Sequence, residues 1–206
     1  MNIITISREF GSGGRELGKR LADQLSCDYY DSEIVSAVAQ TSGLDAAYIE
    51  NLLNNHGWKN QAITFRGTLS STAYVQSSKI SLLLKQKKVI ENIAEMGKDC
   101  VIVGRNADVI LRDYRTFNIF VCASKEAKIK RCMERASESE RMTEKELLRQ
   151  MKQIDSVRSQ TRELMSGSAW GQREAYHITV NTTEWNIKEL VPAVADFAAR
   201  WFGRNL

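Results

Sequence analysis

Met1-Asn-Ile-Ile-Thr-Ile-Ser-Arg-Glu-Phe-Gly-Ser-Gly-Gly-Arg-Glu-Leu-Gly-Lys-Arg20 opens the chain and contains the beginnings of three structural elements. The β-branched run from Ile3 to Ile6 predicts a buried strand. Gly11-Ser12-Gly13-Gly14 predicts a tight turn, because glycine tolerates positive φ. Arg15 to Leu25 then predicts an amphipathic helix. A strand, a glycine loop and a helix in this order point backbone N–H groups and a helix N-terminus at one spot, which favours phosphate binding.

The loop matches the P-loop pattern G-x-x-x-x-G-K-[ST] only in part. With Gly13 as the last loop glycine, Gly14 stands at the lysine position and Arg15 at the Ser/Thr position. Arg15 could then bridge the β- and γ-phosphates in place of lysine, because a guanidinium suits phosphate oxygens. Ser12 could replace the missing magnesium-binding hydroxyl in part. The alternative is an ordinary turn that binds nothing. A dinucleotide-binding turn fits less well, since Glu16 occupies the position of its last glycine.

Length and composition predict one α/β domain over residues 1–206. The chain has 206 residues, 43% of them hydrophobic and 26% charged, and a net charge of +4. This charge is too mild to indicate a nucleic-acid partner but suits a site that gathers phosphates. No apolar run approaches the roughly 20 residues that span a bilayer, and no signal peptide is apparent. The four cysteines have no metal-ligand spacing and are interpreted as reduced, so we expect a cytoplasmic protein with no nucleic-acid partner and no membrane contact. The sequence does not indicate an oligomeric state.

Four further strands are predicted, each followed by a helical segment, at Cys27–Tyr30, Cys100–Val103, Phe117–Val121 and Tyr176–Val180. Repeated strand–helix units predict a three-layer α/β fold with a five-stranded parallel sheet. A long helix is expected over Ala73–Met96, with Leu83, Leu84 and Ile93 among its core positions. The stretch Trp58–Thr72 has weak periodicity and is interpreted either as an irregular segment or as a flexible segment that covers the substrate.

Two residues after predicted strands are candidates for substrate contact. Asp31 precedes a helix, so it either caps that helix or contacts the acceptor; the two roles do not exclude each other. Arg105 follows Cys100–Val103, and ligands of parallel sheets bind at the carboxyl ends of strands. Its alternative role is a structural salt bridge at a helix start.

Two consecutive helices rich in arginine are expected at about 131–163, the first capped by Ser124 and the second opened by the capping box of Thr143 and Glu146. Any one of their cations could belong to a solvated helix face. Together they indicate an insertion that closes as a lid over bound nucleotide and places guanidiniums on the transferring phosphoryl group. No histidine- or cysteine-based metal site is predicted from the residue spacing.

Nearly the whole chain resembles the cytidylate-kinase-like proteins, which are P-loop nucleoside monophosphate kinase relatives. The resemblance is carried by four stretches, namely Ile4 to Glu16, Tyr29-Tyr-Asp31, Val101-Ile-Val-Gly-Arg-Asn-Ala-Asp108, and Asp155-Ser-Val-Arg158 followed by Trp170-Gly171 and Tyr176. It implies a P-loop kinase fold and transfer of the ATP γ-phosphoryl group, with Mg²⁺, to a nucleoside monophosphate such as CMP or dCMP.

The resemblance also implies roles for individual residues. ATP would be bound by Gly11, Ser12, Gly13, Gly14, Arg15, Glu16, Thr182 and Thr183. The acceptor would be bound by Asp31, Ser32, Arg105, Asp155 and Arg158. Catalysis would rest on Arg15, Arg131 and Arg158.

The chain departs from well-characterised cytidylate kinases at three places. Gly14 replaces the P-loop lysine, Val103-Gly-Arg-Asn106 replaces Asp-Gly-Arg-Asp, and Ala37 replaces an arginine that holds the acceptor phosphate. Losing one preorganised cation costs on the order of 10² to 10³ in rate. The loop could work with Arg15 as its cation, the acceptor could be a different small molecule, or the protein could bind nucleotide as a regulator without transferring phosphate.

Overall fold

A parallel sheet of five strands in the order β2-β3-β1-β4-β5 forms the centre of the protein. The structure is a computed structural model, and it describes residues 1–43, 70–136 and 142–203. The strands are β1 (Ile3–Arg8), β2 (Asp28–Tyr30), β3 (Cys100–Val103), β4 (Thr116–Cys122) and β5 (Ile178–Asn181). β1 lies between β3 and β4, so the phosphate loop that follows it emerges at the middle of the sheet.

Seven α-helices are present in the described ranges, namely α1 (Gly14–Leu25), α2 (Ser32–Ser42), α3 (Ser70–Glu95), α4 (Ala107–Ile110), α5 (Lys125–Arg135), α6 (Glu144–Ser166) and α7 (Ile187–Trp201). A short 3₁₀ turn spans Arg173–Ala175. None of the helices in these ranges is long and apolar enough to cross a membrane.

The helices cover both faces of the sheet, as the alternation of buried strand residues requires. On one face, Ile4 and Ile6 of β1 pack with α1 and α7. On the other face, Ile3 packs with α2, α3 and α4, where Ile34 and Ile90 are among the buried residues. The predicted three-layer α/β fold with five parallel strands is therefore confirmed.

The predicted lid corresponds to α5 and α6. Their caps form as the sequence predicts, because Ser124 accepts from the Ala127 N–H, and Thr143 and Glu146 form a reciprocal capping box. The two helices meet in a small apolar cluster of Ile129, Leu147 and Met151, and Phe10 of the phosphate loop packs against that cluster. The lid and the loop thus share an apolar contact.

Three details differ from the sequence predictions. The side chain of Asp31 does not cap α2; it is directed to two arginines instead. In α3, Leu84 is 62% exposed, whereas Leu82 and Ile90 are buried. The long helix also begins at Ser70, so the last three residues of the predicted irregular segment Trp58–Thr72 are helical, and the remainder of that segment lies outside the described residues.

Candidate active site

The loop between β1 and α1 is held in one shape by hydrogen bonds to its own backbone and to β5. Gly13 precedes α1 with φ +84°, and a Cβ at this position would lie 2.6 Å from Ile187 Cδ1. Ser12 is fully buried, and its hydroxyl donates to the Glu9 carbonyl at 2.9 Å. The Thr182 hydroxyl donates to the Ser12 carbonyl at 2.6 Å. The loop is therefore preorganised before any ligand arrives.

The first lid helix, α5, makes a second set of contacts that hold the loop. Arg131 donates to the carbonyl of Gly11 at 2.8 Å and to that of Thr182 at 3.1 Å. Lys128 pairs with Glu9 at 2.9 Å. These contacts place the Arg131 guanidinium at the loop while it bonds to protein carbonyls. It joins α5, the loop and the end of β5.

A cleft of about 930 Å³ lies between the loop and the lid. Its walls include Gly11, Gly13, Gly14, Arg15 and Glu16 from the loop and α1. The lid contributes Arg131, Cys132, Met133, Arg135, Met142, Leu147, Gln150 and Arg158. A cleft of this size between a glycine loop and cationic helices has the shape and charge of a triphosphate site, and we refer to it as the donor cavity.

A second cavity of about 280 Å³ lies beside the first and shares Arg8, Phe10, Arg15 and Arg158 with it. We refer to it as the acceptor cavity. Its remaining described walls are Ser7, Leu83, Gln86, Gly104, Arg105, Asn106, Ile154, Val157, Thr161 and Trp170. Four arginines line it, and none of its described lining residues is an aspartate or a glutamate. A ligand with oxyanion groups would complement this charge.

Arg158 and Asp155 connect the second lid helix to the loop. Arg158 donates to Asp155 at 3.0 Å and to the Arg8 carbonyl at 2.9 Å. The Phe10 N–H donates to the same carboxylate at 2.8 Å. Burial lowers the pKa of Arg158, and burial raises the pKa of Asp155 although Arg158 opposes that shift. Asp155 therefore positions the loop and the arginine and does not face the acceptor cavity.

Asp31, at the end of β2, binds two cations that come from either side of the loop. Its carboxylate lies 2.5 Å from Arg15 Nε and 3.6 Å from Arg8 Nη2. Asp31 is buried, whereas the Arg15 side chain is 67% exposed. With Ser32, Glu16 and Arg15, Asp31 lines an open groove of about 660 Å³, which shares Glu16 and Arg15 with the donor cavity. Arg15 lines the donor cavity, the acceptor cavity and this groove.

The backbone after β3 is strained where it meets the acceptor cavity. Arg105 and Asn106 have φ values of +58° and +53°, which non-glycine residues rarely adopt. Gln86, a buried residue of α3, donates to the Arg105 carbonyl at 3.1 Å and so supports this conformation. Strain of this kind concentrates at functional sites, where surrounding structure holds it in place.

Among the described residues, the candidate magnesium ligands at the donor cavity are bonded to other protein groups. The Ser12 hydroxyl, proposed from the sequence as a partial substitute ligand, is buried and directed to a carbonyl. Of the carboxylates at the donor cavity, Glu9 pairs with Lys128, and Glu16 pairs with Arg20 and Arg135. No group of three or more acidic, histidine or cysteine residues is arranged for a metal in the described ranges. Magnesium would accompany the nucleotide phosphates, as it does where protein ligands are few.

The structure brings most of the predicted site residues to the two cavities and their groove. Four others line none of them, namely Ser12, Asp155, Thr182 and Thr183. Thr183 accepts from the Ser124 N–H at 2.9 Å and donates to Asn181 at 2.5 Å, so it fixes the loop after β5. Sequence reasoning missed Arg8 and Gln86. Arg8 could have been found as the cation that ends the central strand; the sequence carries no comparable signal for Gln86.

The chain is similar in sequence to one protein family and in fold to several solved structures. The sequence model of the cytidylate kinase-like family matches residues 3–184. No curated protein matches the chain. An uncharacterised protein from Eubacterium ventriosum is 26% identical, with 96% of this chain and 98% of that chain covered and a TM-score of 0.69.

Shikimate kinases share the fold at lower identity. The enzyme from Acinetobacter baumannii, solved with shikimate, is 14% identical over 97% of this chain and 94% of its own, with a TM-score of 0.52. The enzyme from Bacteroides thetaiotaomicron is 13% identical over 95% of this chain and 97% of its own, with a TM-score of 0.56. The architecture is thus that of small P-loop kinases.

Proposed function

Because the chain belongs to the cytidylate kinase-like family, we propose that it transfers the γ-phosphoryl group of ATP to a nucleoside monophosphate. The acceptor atom would be a phosphate oxygen, and CMP and dCMP are the first candidates. ATP would lie in the donor cavity with its phosphates at Gly11–Gly14. The monophosphate would lie in the acceptor cavity. Arg15 and Arg158 border both cavities, so they can contact the group in transfer.

The observation that carries this proposal is the charge of the acceptor cavity. Four arginines line it, and no carboxylate does so among the described residues. A hydroxyl acceptor must lose a proton, which kinases of that kind manage with a positioned carboxylate. A phosphate oxygen is already anionic and needs no base. The cavity therefore favours a phosphate acceptor over an alcohol.

The transfer needs little covalent participation from the protein. The bond between the γ-phosphorus and the bridging oxygen breaks, and its electron pair remains on the β-phosphate of ADP. The acceptor phosphate oxygen supplies the electron pair of the new bond. Preorganised guanidiniums stabilise the negative charge that spreads over the transferring oxygens, and lid closure excludes water.

A second candidate function is nucleotide binding without turnover, as in a regulator. It is favoured by Gly14 at the lysine position and by Val103 and Asn106 in place of two carboxylates. A coupled ADP-release assay with ATP, magnesium and a panel of CMP, dCMP, UMP, AMP and GMP tests the two candidates. Acceptor-dependent release supports transfer; ATP binding without release for any phosphate acceptor supports the regulator.

A further inference from the structure

Arg8 occupies a special position in the phosphate-loop pattern. When Gly13 is the last glycine of G-x-x-x-x-G-K, the first glycine of the pattern falls on residue 8 and the lysine on residue 14. This chain has Arg8 and Gly14 at those places. The first glycine of the pattern and its cation have therefore exchanged positions: the cation stands at residue 8 and the glycine at residue 14.

The structure explains why the exchange is a matched pair. A Cβ on Gly14 would lie 2.6 Å from Arg8 Cβ and 3.0 Å from Arg8 Cγ. Any side chain at position 14 would collide with the stem of Arg8. A lysine at position 14 thus requires glycine at position 8 and a small shift of Val121, whose Cβ would lie 3.2 Å away, and Arg8 requires glycine at position 14.

A second glycine makes room for the other end of the side chain. A Cβ on Gly104, after β3, would lie 1.5 Å from Arg8 Nη1 and 2.6 Å from its Cζ. The guanidinium therefore lies directly against the backbone at the end of β3, with Asp31 as its ion-pair partner at 3.6 Å. Two close approaches and one carboxylate fix the path of Arg8.

This path ends where the two cavities meet. Arg8 lines both the donor and the acceptor cavity, and its side chain is only 13% exposed. Burial, together with the charges of Arg158 and Arg15, lowers the pKa of Arg8 to about 9, while Asp31 opposes that shift. Because buried like charges repel one another, a bound polyanion stabilises their charged forms strongly. Arg15, in contrast, is largely exposed and reaches Asp31 from outside.

We infer that Arg8 supplies the loop cation that lysine supplies in other P-loops, and that it bonds the β- and γ-phosphates of the donor across the boundary of the two cavities. This inference rests on the proposed function and assigns one residue within it. Arg8 keeps its proton throughout and acts through charge and hydrogen bonds. Arg15 then has the secondary task of holding Asp31 against Arg8 from the solvent side.

The test compares the binding of ATP and adenosine by calorimetry, with turnover measured beside it. Arg8→Ala should weaken ATP binding by at least about tenfold and turnover by on the order of 10²-fold, since one preorganised charge donor is lost. Adenosine binding should change little, because adenosine lacks both contacted phosphates. Arg200→Ala, which removes an exposed arginine of α7, is the matched control. Unchanged ATP affinity in a folded Arg8→Ala variant would overturn the inference and leave the proposed function standing.

The exchange itself supplies a decisive variant. Arg8→Gly should lose ATP affinity, and Gly14→Lys should unfold or lose it too, because of the clash with Arg8. The double variant Arg8→Gly with Gly14→Lys should recover affinity and turnover. If Arg8→Ala fails to fold, the double variant and Arg8→Lys test the inference. ATP affinity that recovers only when a cation occupies one of the two positions supports it. An equal loss of ATP affinity in all variants contradicts it. A wild-type protein that binds no nucleoside triphosphate would overturn the proposed function and this inference together.

Discussion

Arg158 is the residue that most directly joins the lid to the site. One of its nitrogens bonds the Arg8 carbonyl and the Asp155 carboxylate, and its guanidinium borders both cavities. Such a group can follow the transferring phosphoryl group from donor to acceptor without moving far. Its spacing from Asp155 made it recognisable from sequence, because residues three apart share a helix face.

Arg158→Ala should lower kcat by on the order of 10² to 10³, since a preorganised donor at the transferring group is removed. Steady-state kinetics and thermal unfolding would measure the effect. Arg149→Ala, an exposed arginine on the same helix, should leave kcat within about twofold. A kcat that Arg158→Ala leaves unchanged would remove Arg158 from the mechanism.

Arg105→Ala should act on the acceptor alone. Arg105 lines the acceptor cavity and is absent from the walls of the donor cavity. We expect kcat/KM for the monophosphate to fall by on the order of 10², while the Kd for ATP stays the same. Parallel calorimetry and acceptor titrations separate the two effects. An equal loss of ATP affinity would show that Arg105 supports the fold of the whole site.

At the residue scale, sequence reasoning found the glycines and arginines of the loop but did not predict the contacts of the polar residues around them. Thr182 and Ser12 bond to backbone carbonyls, and Asp31 pairs with cations. Such choices depend on which side chain from a distant segment is nearest, and one sequence does not contain that information. Arg8 was hidden because its importance comes from Gly14 and Gly104, which are six and 96 residues away.

At the element scale, α6 is anchored at its carboxyl-terminal half by a buried ion pair. Arg162 lies 2.5 Å from Asp108 of α4, and both side chains are almost fully buried. The Ser7 hydroxyl also donates to Asp108 at 3.4 Å, and Arg162 lies over the Tyr176 ring at 5.0 Å. This end of α6 is thus joined through Asp108 to α4 and to Ser7 of β1. Among the described residues, the other end packs against α5 and Phe10.

Arg162→Ala should reduce the free energy of unfolding by about 3–5 kcal/mol, because it leaves a buried carboxylate without its cation. Denaturant unfolding measures this loss. Combining Arg162→Met with Asp108→Leu should restore most of it, since apolar replacement of a buried pair is often neutral. If Arg162→Ala were as stable as Arg149→Ala, the anchor would not hold the helix.

Elements themselves were predictable to within a few residues. The strand runs and the caps at Ser124 and Thr143 depend on local patterns, and both caps form. The inward face of α3 was harder, because its apolar residues do not form a single stripe. Gln86 is buried and Leu84 is exposed, which is the reverse of what their polarity suggests. Tertiary contacts, and not the local hydrophobic pattern, decide which side of α3 is buried.

At the scale of the whole molecule, the sheet order places β1 between β3 and β4, so the loop, Arg105 and the lid meet at one edge. The sequence predicted a parallel sheet, but the order of its strands follows from how the helices pack. Because several arginines converge at this edge, we expect the affinity for a nucleotide to rise with its number of phosphates.

Thermal stability should therefore rise in the order AMP, ADP, ATP at equal concentration. A ligand at about 100 times its Kd adds about 2.7 kcal/mol to the free energy of unfolding. The ATP effect should shrink as salt rises from 50 to about 500 mM, because screening weakens charge interactions. Differential scanning fluorimetry measures both trends. Equal stabilisation by AMP and ATP would mean that the base, and not the phosphates, dominates binding.

The most direct test of the central claim is the rate of ADP release from ATP in the presence of phosphate and hydroxyl acceptors. We predict that release depends on a nucleoside monophosphate, with CMP and dCMP foremost, and that shikimate or a sugar alcohol gives no rate above background. Release with a hydroxyl acceptor and none with any monophosphate would contradict the account, because transfer would then run to a hydroxyl in a cavity whose described residues include no carboxylate to accept its proton.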